Sequence, residues 1–290
     1  MNINTIVIPD VHGRDFWKII EQHPDKPVIF LGDYLDPYPG EATPQEAIKN
    51  FSEILKVARK RDNITLLVGN HDLCYDIGRV ICECRCIYEK YDIIRAMFND
   101  NKELFKIAEY REIGGKKFLF THAGITPEWV RDDCTKVLPN DFAKVLTEAD
   151  YLNRSYQRHW YEFCQALRKV SYHRGGLDRN SSMVWCDANE HIENYAWRKD
   201  EECDANGIIQ VFGHTYLKVG VHAFVPYEIY CLDCAKPWCI TDEGEIVCMT
   251  DMVKPLDVGR PNKVVPQNLE EEPEPLYPPK KSKKNGKNKS

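Results

Sequence analysis

Short apolar runs recur along the chain at Thr5 to Ile8, Val28 to Leu31, Ile64 to Val68, Lys117 to Phe120 and Ile208 to Phe212. Each is rich in β-branched or aromatic residues and too short for a helix, so each predicts a buried strand. Between the early ones, Pro44 to Arg61 carries Ile48, Phe51, Ile54, Leu55 and Ala58 at helical spacing. Strands alternating with helices predict an α/β layered architecture. The stretches Asp76 to Glu109 and Asp141 to Val170 are amphipathic with few strand signals, and read as helical insertions. After Ile208 the segments "KVGVHAF", "EIYCLD", "WCITD" and "EIVCMT" read as successive short strands, predicting a second sheet packed on the first.

The pattern breaks after Met252. From Val253 to Ser290 proline and charge dominate, with "EEEPE" followed by "PPKKSKKNGKNKS". Such a composition buries too little apolar surface to offset its ordering entropy. The expected organisation is one folded domain over residues 1–252 and a disordered charged tail over 253–290. The tail's lysines could meet nucleic acid or an acidic partner, although solubilisation alone would account for them.

Composition narrows the class. The chain has 290 residues, 43% hydrophobic and 29% charged, the profile of a globular protein with a sizeable core. A net charge of −6 argues against a nucleic-acid surface covering the whole molecule. No run approaches the roughly 18 apolar residues that span a bilayer. The opening "MNINTIVIPD" lacks the basic region of an export signal. The expectation is a cytoplasmic protein with no membrane partner and twelve reduced cysteines, used mainly as small buried hydrophobes. Cys231 and Cys234 have zinc-site spacing, but no second matched pair follows them.

The chemistry lies in how the strands stop. The first ends in "PDVHGR" (Asp10, His12) and the second in "LGDYLDP" (Asp33, Asp36). The third ends in "VGNHD" (Asn70, His71), the fourth in "THAG" (His122) and the fifth in "FGHT" (His214). Each fragment alone is an ordinary polar turn. Together they deliver Asp, Asn and His to the carboxyl edge of a sheet, where α/β folds place their sites. Asp, Asn and His form a mixed oxygen and nitrogen ligand set that suits divalent manganese, iron, zinc or nickel better than calcium or magnesium. One carboxylate can bridge two such ions about 3.5–4 Å apart, with a hydroxide between them as nucleophile toward phosphorus.

The ordered set "PDVHG", "GDYLDP", "GNHD", "THAG" and "GHT" resembles the calcineurin-like metallophosphoesterases. Within them it is most similar to the phosphoprotein phosphatase type, in its bacterial branch. The resemblance implies a four-layer α/β/β/α sandwich with helical insertions and a catalytic domain over residues 1–252. It implies two divalent ions, manganese first among the candidates, with iron, zinc or nickel as alternatives. Asp10 and His12 would hold the first ion, Asp33 would bridge, and Asn70, His122 and His214 would complete the second. His71 would be the general acid that protonates the leaving oxygen, oriented by Asp36. The implied activity is hydrolysis of phosphoesters by a metal-bridged hydroxide, on a phosphoprotein substrate in the manner of serine/threonine phosphatases. A nucleotide substrate, as in diadenosine tetraphosphate hydrolases, or a nucleic-acid end is the alternative, and a catalytically silent metal-binding module is a third reading.

One departure matters. The family's second motif usually continues with Arg-Gly, where this chain has Pro37 and Tyr38. That arginine grips phosphate through its planar fork. Replacement candidates are Arg14, Arg174, Arg179 and Arg198, with Arg174 in "YHRGG" favoured for its flanking glycines. "SMVWCDAN" (Ser182 to Asn189) resembles the family's Trp-Ser-Asp stretch, and Asp233 in "YCLDCA" resembles an aspartate near the site in bacterial members.

Overall fold

The computed structural model describes residues 2–76, 85–134, 136–139, 141–196, 207–217, 222–224, 228–250 and 256–257. Among these, twelve strands form two six-stranded sheets. The first contains β1 (Ile3–Ile8), β2 (Val28–Phe30), β3 (Ile64–Leu67), β4 (Phe105–Lys106), β10 (Trp238–Thr241) and β11 (Ile246–Cys248), ordered β11-β10-β1-β2-β3-β4. The second contains β5 (Glu109–Ile113), β6 (Lys116–Phe120), β7 (Ile208–Phe212), β8 (His222–Phe224), β9 (Ile229–Cys231) and β12 (Leu256–Asp257), ordered β12-β8-β9-β7-β6-β5.

The five strands that precede the polar motifs run parallel within each sheet. Ile8 pairs with Phe30 and Phe30 with Leu66 in the first, and Phe120 pairs with Val211 in the second. Their carboxyl ends are therefore level, and the polar residues that follow emerge at one edge. Side-chain alternation builds the layers. Val7, Ile29, Leu31 and Leu67 of the first sheet cluster with Phe118, Phe120 and Val211 of the second, making the inner core. Ile6, Ile8, Phe30 and Leu66 point the opposite way, into a larger core with the helices. This is the expected α/β/β/α sandwich.

Helix α1 (Pro44–Lys60) begins with a capping box, in which Thr43 Oγ1 accepts from Glu46 N at 3.2 Å and the Glu46 carboxylate accepts from Thr43 N at 2.8 Å. Its buried face carries Phe51, which stacks on Tyr34 at 5.1 Å. Phe51 also meets Phe98 of α3 (Tyr91–Asn99), with ring centres 5.0 Å apart. Helix α2 (Asn70–Asp76) starts directly after β3, while α4 (Pro127–Asp133), α5 (Phe142–Thr147), α6 (Ala149–Gln157), α7 (Tyr161–Leu167) and α8 (Ala188–Ala196) follow β6. No described helix is long and apolar enough to cross a membrane.

Four expectations change. The stretch Asp76 to Glu109 is not wholly helical: Phe105 pairs with Leu66 as an extra strand of the first sheet, and Glu109 opens a hairpin with β6 that turns at Gly114–Gly115. The late strands do not all join the second sheet. Trp238 and Ile240 supply apolar surface to the inner core, and β10 pairs antiparallel with β1 to place them there. Sheet pairing also passes Met252, because Leu256 pairs with His222; the rest of the expected tail lies outside the described residues. The cysteines are not uniformly reduced. Eight described ones are free, but Cys74 is disulfide-bonded and its sulfur lies 3.2 Å from that of Cys86.

Phe51 joins α1, α3 and the first sheet in one aromatic cluster. Phe51→Ala is expected to cost about 3–5 kcal/mol of stability in urea unfolding, against little change for the exposed Lys56→Ala; equal midpoints would contradict this packing.

Candidate metal centre

The six residues expected to hold metal converge, and all are buried. Asp33 is the centre: its Oδ2 lies 3.6 Å from His12 Nε2 and 3.5 Å from His122 Nε2. Two groups with ligand geometry share it, Asp33 with His12 and His71, and Asp33 with His122 and His214. Asp10 stands beside the first, with Oδ2 4.0 Å from His12 Nε2 and Oδ1 accepting from His214 N at 2.9 Å.

The imidazole tautomers follow from carbonyl partners. His12 Nδ1 donates to Leu35 O at 2.8 Å, and His122 Nδ1 donates to Leu31 O at 2.9 Å. In the neutral rings each Nε2 therefore offers a lone pair toward Asp33, as a ligand must. His122 Nε2 also lies 3.0 Å from Asn70 Oδ1, itself 3.0 Å from His214 Nδ1. Nε2 and the amide oxygen are both acceptors, so their close approach is repulsive unless a positive charge lies between them. A divalent cation fits that requirement.

Backbone geometry permits the convergence. A Cβ at Gly69 would run into Asp33 Oδ1 and His122 Cε1, and one at Gly213 would run into Asp10 Oδ1. Glycine is therefore required where the strand ends approach the ligands. His12, Asp33, Asp36 and His214 all take positive φ, between 46° and 67°, a region costly for non-glycine residues and concentrated at functional sites.

Asp72 is a contributor that its sequence context did not reveal. Its carboxylate is fully buried and accepts from Asp33 N at 2.7 Å, Tyr34 N at 3.1 Å and Gly69 N at 2.8 Å. It thereby clamps the end of β2 to the end of β3. The only sequence signal was its place in "GNHD".

His71 and Asp36 form the expected pair. His71 Nδ1 faces Asp36 Oδ2 at 2.9 Å and Arg85 O at 3.0 Å, both acceptors, so Nδ1 carries a proton and Nε2 is left for the site. Asp36 Oδ1 accepts from the Tyr75 hydroxyl and from Ile87 N at 3.2 Å. Tyr75 was not foreseen; burial and then the neighbouring Asp36 push its hydroxyl up, which keeps it a donor.

The arginines divide. Arg174 Nε meets Asp187 Oδ2 at 3.0 Å, and its Nη2 donates to His214 O at 3.0 Å and Thr215 Oγ1 at 2.9 Å. Arg174 thus supports the His214 turn, with Asp187 of "WCDAN" as its partner. Arg14 is held by Glu41 at 3.0 Å, and Arg179, 82% exposed, reaches only Asp132 among the described residues. Arg198 lies outside the described residues. Asp233 is buried, and burial together with Asp10 pushes its carboxyl well up. Cys231 donates to Gly213 O and Thr215 O at 3.4 Å, and burial pushes its thiol up, as suits a buried structural cysteine.

Fold and site together define a metallophosphoesterase. Residues 3–218 match the calcineurin-like phosphoesterase family, and the chain belongs to it; it is a phosphoric ester hydrolase. No curated protein matches it in sequence. Among solved structures it is similar to a cold-active protein-tyrosine phosphatase of a psychrophilic Shewanella species, at 14% identity over 86% of this chain and 81% of that one, TM-score 0.44. It is also similar to a Saccharomyces cerevisiae protein serine/threonine phosphatase with similarity to human phosphatase PP5, at 14% identity over 83% and 73%, TM-score 0.46. Neither likeness carries weight beyond the family match.

Removing the clamp is expected to be severe. Asp72→Ala leaves three buried N–H groups without an acceptor, at about 1–3 kcal/mol each, and calorimetry should show a lower melting point together with weakened metal uptake. Protonation supplies a second check. Burial, reinforced by nearby cations, holds His12 and His214 well below 6.5. Those cations include His71, Arg85 and Arg14 around His12, where Asp33 opposes them, and Arg174 and His71 around His214. Between the lowered values and 6.5 the unfolded chain binds more protons, so falling pH favours unfolding. Metal-stripped protein should lose stability from about pH 7 to 5.5, approaching about 1.4 kcal/mol per pH unit for each histidine. A flat melting profile over that interval would count against neutral buried imidazoles.

Proposed function

We propose that this chain is a dinuclear metal-dependent phosphatase of the phosphoprotein phosphatase type, its catalytic domain formed by residues 1–252 together with the strand at 256–257. The observation that carries the reading is the convergence of two ligand groups on Asp33 Oδ2. Asp10, His12 and Asp33 would hold one ion, and Asp33, Asn70, His122 and His214 the other, with manganese the first choice for this oxygen and nitrogen set. Such ions, when bound, supply Lewis acidity toward the phosphoryl oxygens and an activated water at neutral pH.

The chain's own residues handle the proton. His71 lies within ligand distance of Asp33 and His12, but its Nδ1–H is committed to Asp36. In the imidazolium form its Nε2 holds a proton at the edge of the metal group, in the place of a general acid for the leaving oxygen. Asp36 stabilises that cation and fixes the ring, as the carboxylate does in an acid–base dyad. Tyr75 and Ile87 N hold Asp36 in turn.

A phosphoserine or phosphothreonine protein is the substrate class we favour. A nucleotide is the second reading, supported by Tyr38 and Tyr216, whose rings lie 6.5 Å apart, with Tyr38 against His12 at 5.1 Å and Tyr216 41% exposed. Aromatic side chains of this kind can stack a base.

Metal-stripped protein should hydrolyse p-nitrophenyl phosphate only after manganese, nickel, zinc or magnesium is restored. His71→Asn should retain metal binding and lower kcat about 10²–10⁴-fold, with Asp36→Asn close behind. Diadenosine tetraphosphate and a phosphoserine peptide, run in parallel, separate the substrate readings. Wild-type protein that binds metal yet turns over none of the three would sink the proposal.

A further inference from the structure

Five carboxylates, Asp10, Asp33, Asp36, Asp72 and Asp233, are buried at or beside this centre. A dianionic phosphoryl group entering it needs cationic donors from the protein as well as bound metal. Arg14 is neutralised by Glu41 and Arg174 by Asp187. Arg85 differs: among the described residues it has no carboxylate partner. Its guanidinium carbon lies 3.8 Å from the centre of the Tyr38 ring, a close cation–π stack. The same Tyr38 ring lies edge-on to His12 at 5.1 Å. On the other side, Arg85 O meets His71 Nδ1 at 3.0 Å, and Arg85 Nη2 lies 3.5 Å from Asp36 O. Among the described residues its buried Nε has no hydrogen-bond partner.

The guanidinium is thus stacked on the Tyr38 ring beside His12, and among the described residues its Nε is left without a hydrogen-bond partner. A stacked guanidinium keeps its fork in plane for an oxyanion, whereas a lysine would offer only a point charge. We propose that Arg85 grips the phosphoryl group of the substrate, with Tyr38 as its pedestal. This rests on the phosphatase reading above and extends it to a residue outside every motif of the chain. It also gives Tyr38 a purpose. A ring beside Pro37 holds a guanidinium that arrives from after α2, where the second motif itself carries none.

Calorimetric titration of metal-loaded protein with inorganic phosphate tests Arg85 without requiring turnover. Arg85→Ala should bind phosphate at least tenfold more weakly than wild type, with an unchanged melting point and metal content. Equal affinity in the two proteins, or no binding to either, would overturn the proposal. Where wild type hydrolyses p-nitrophenyl phosphate, Arg85→Ala should lose about 10²–10³-fold in kcat/KM, the scale for one donor to a reacting oxyanion. Added guanidinium should restore part of that activity, and Arg85→Lys should fall between. A loss under threefold, or one that neither guanidinium nor lysine repairs, would reject Arg85 while leaving the phosphatase reading intact. Silence of the wild type would strike that reading instead.

Discussion

Everything at this centre hangs on the carboxylate of Asp72. Two strands of a parallel sheet end side by side, and each leaves backbone N–H groups that the ladder no longer satisfies. Asp72 collects three of them, from Asp33, Tyr34 and Gly69. Because Asp72 lies in the first turn of α2, the same contact fixes where that helix starts. The helix start places Asn70 and His71, and the clamped turn after β2 places Asp33. His71 N then donates to Asp33 Oδ1 at 3.0 Å, closing the loop between the two strand ends. A buried acceptor shared by several N–H donors gives a rigid joint, and rigidity is what a cluster of converging site residues requires.

Strain is concentrated on the same turns. Four of the non-glycine residues at positive φ are His12, Asp33, Asp36 and His214. Each such residue costs on the order of 1–3 kcal/mol, which only a well-determined surrounding can hold. Here the surrounding is visible residue by residue. His12 is tied to Leu35 O, Asp36 to Tyr75 and Ile87 N, and the turn of His214 to Arg174 and Asp10. The stability lost to the turns is offset by the two apolar cores beneath them.

The positions of the six converging residues were legible because each follows an apolar run, and strand length with residue type betrays a buried strand. Sheet membership was not legible to the same degree. Trp238 and Ile240 read simply as a late strand, and only three-dimensional pairing shows that β10 lies against β1. Phe105 and Lys106 are too few to outvote a helical neighbourhood, yet the free edge of β3 makes them a strand. Asp72, Tyr75 and Arg85 escaped for a related reason. Their roles depend on backbone atoms and rings far away in sequence, which no local spacing encodes. Arg174 was favoured for its glycines, but local flexibility says nothing about a distant Asp187.

The arrangement also bears on whether the site merely holds metal or turns over substrate. Ion binding alone is met by Asp33, His12, His122, Asn70 and His214, where acceptor atoms crowd together and call for positive charge. Nothing in that requirement asks for His71 to be braced through Asp36 by a tyrosine hydroxyl and a backbone N–H. Burying that dyad costs desolvation, and its geometry does one useful thing, which is to keep a proton on Nδ1 and leave Nε2 facing the centre. A binding module could drop these groups and become more stable. Their retention, in a buried and fully hydrogen-bonded form beside the ligand cluster, is the physical reason to read the site as catalytic.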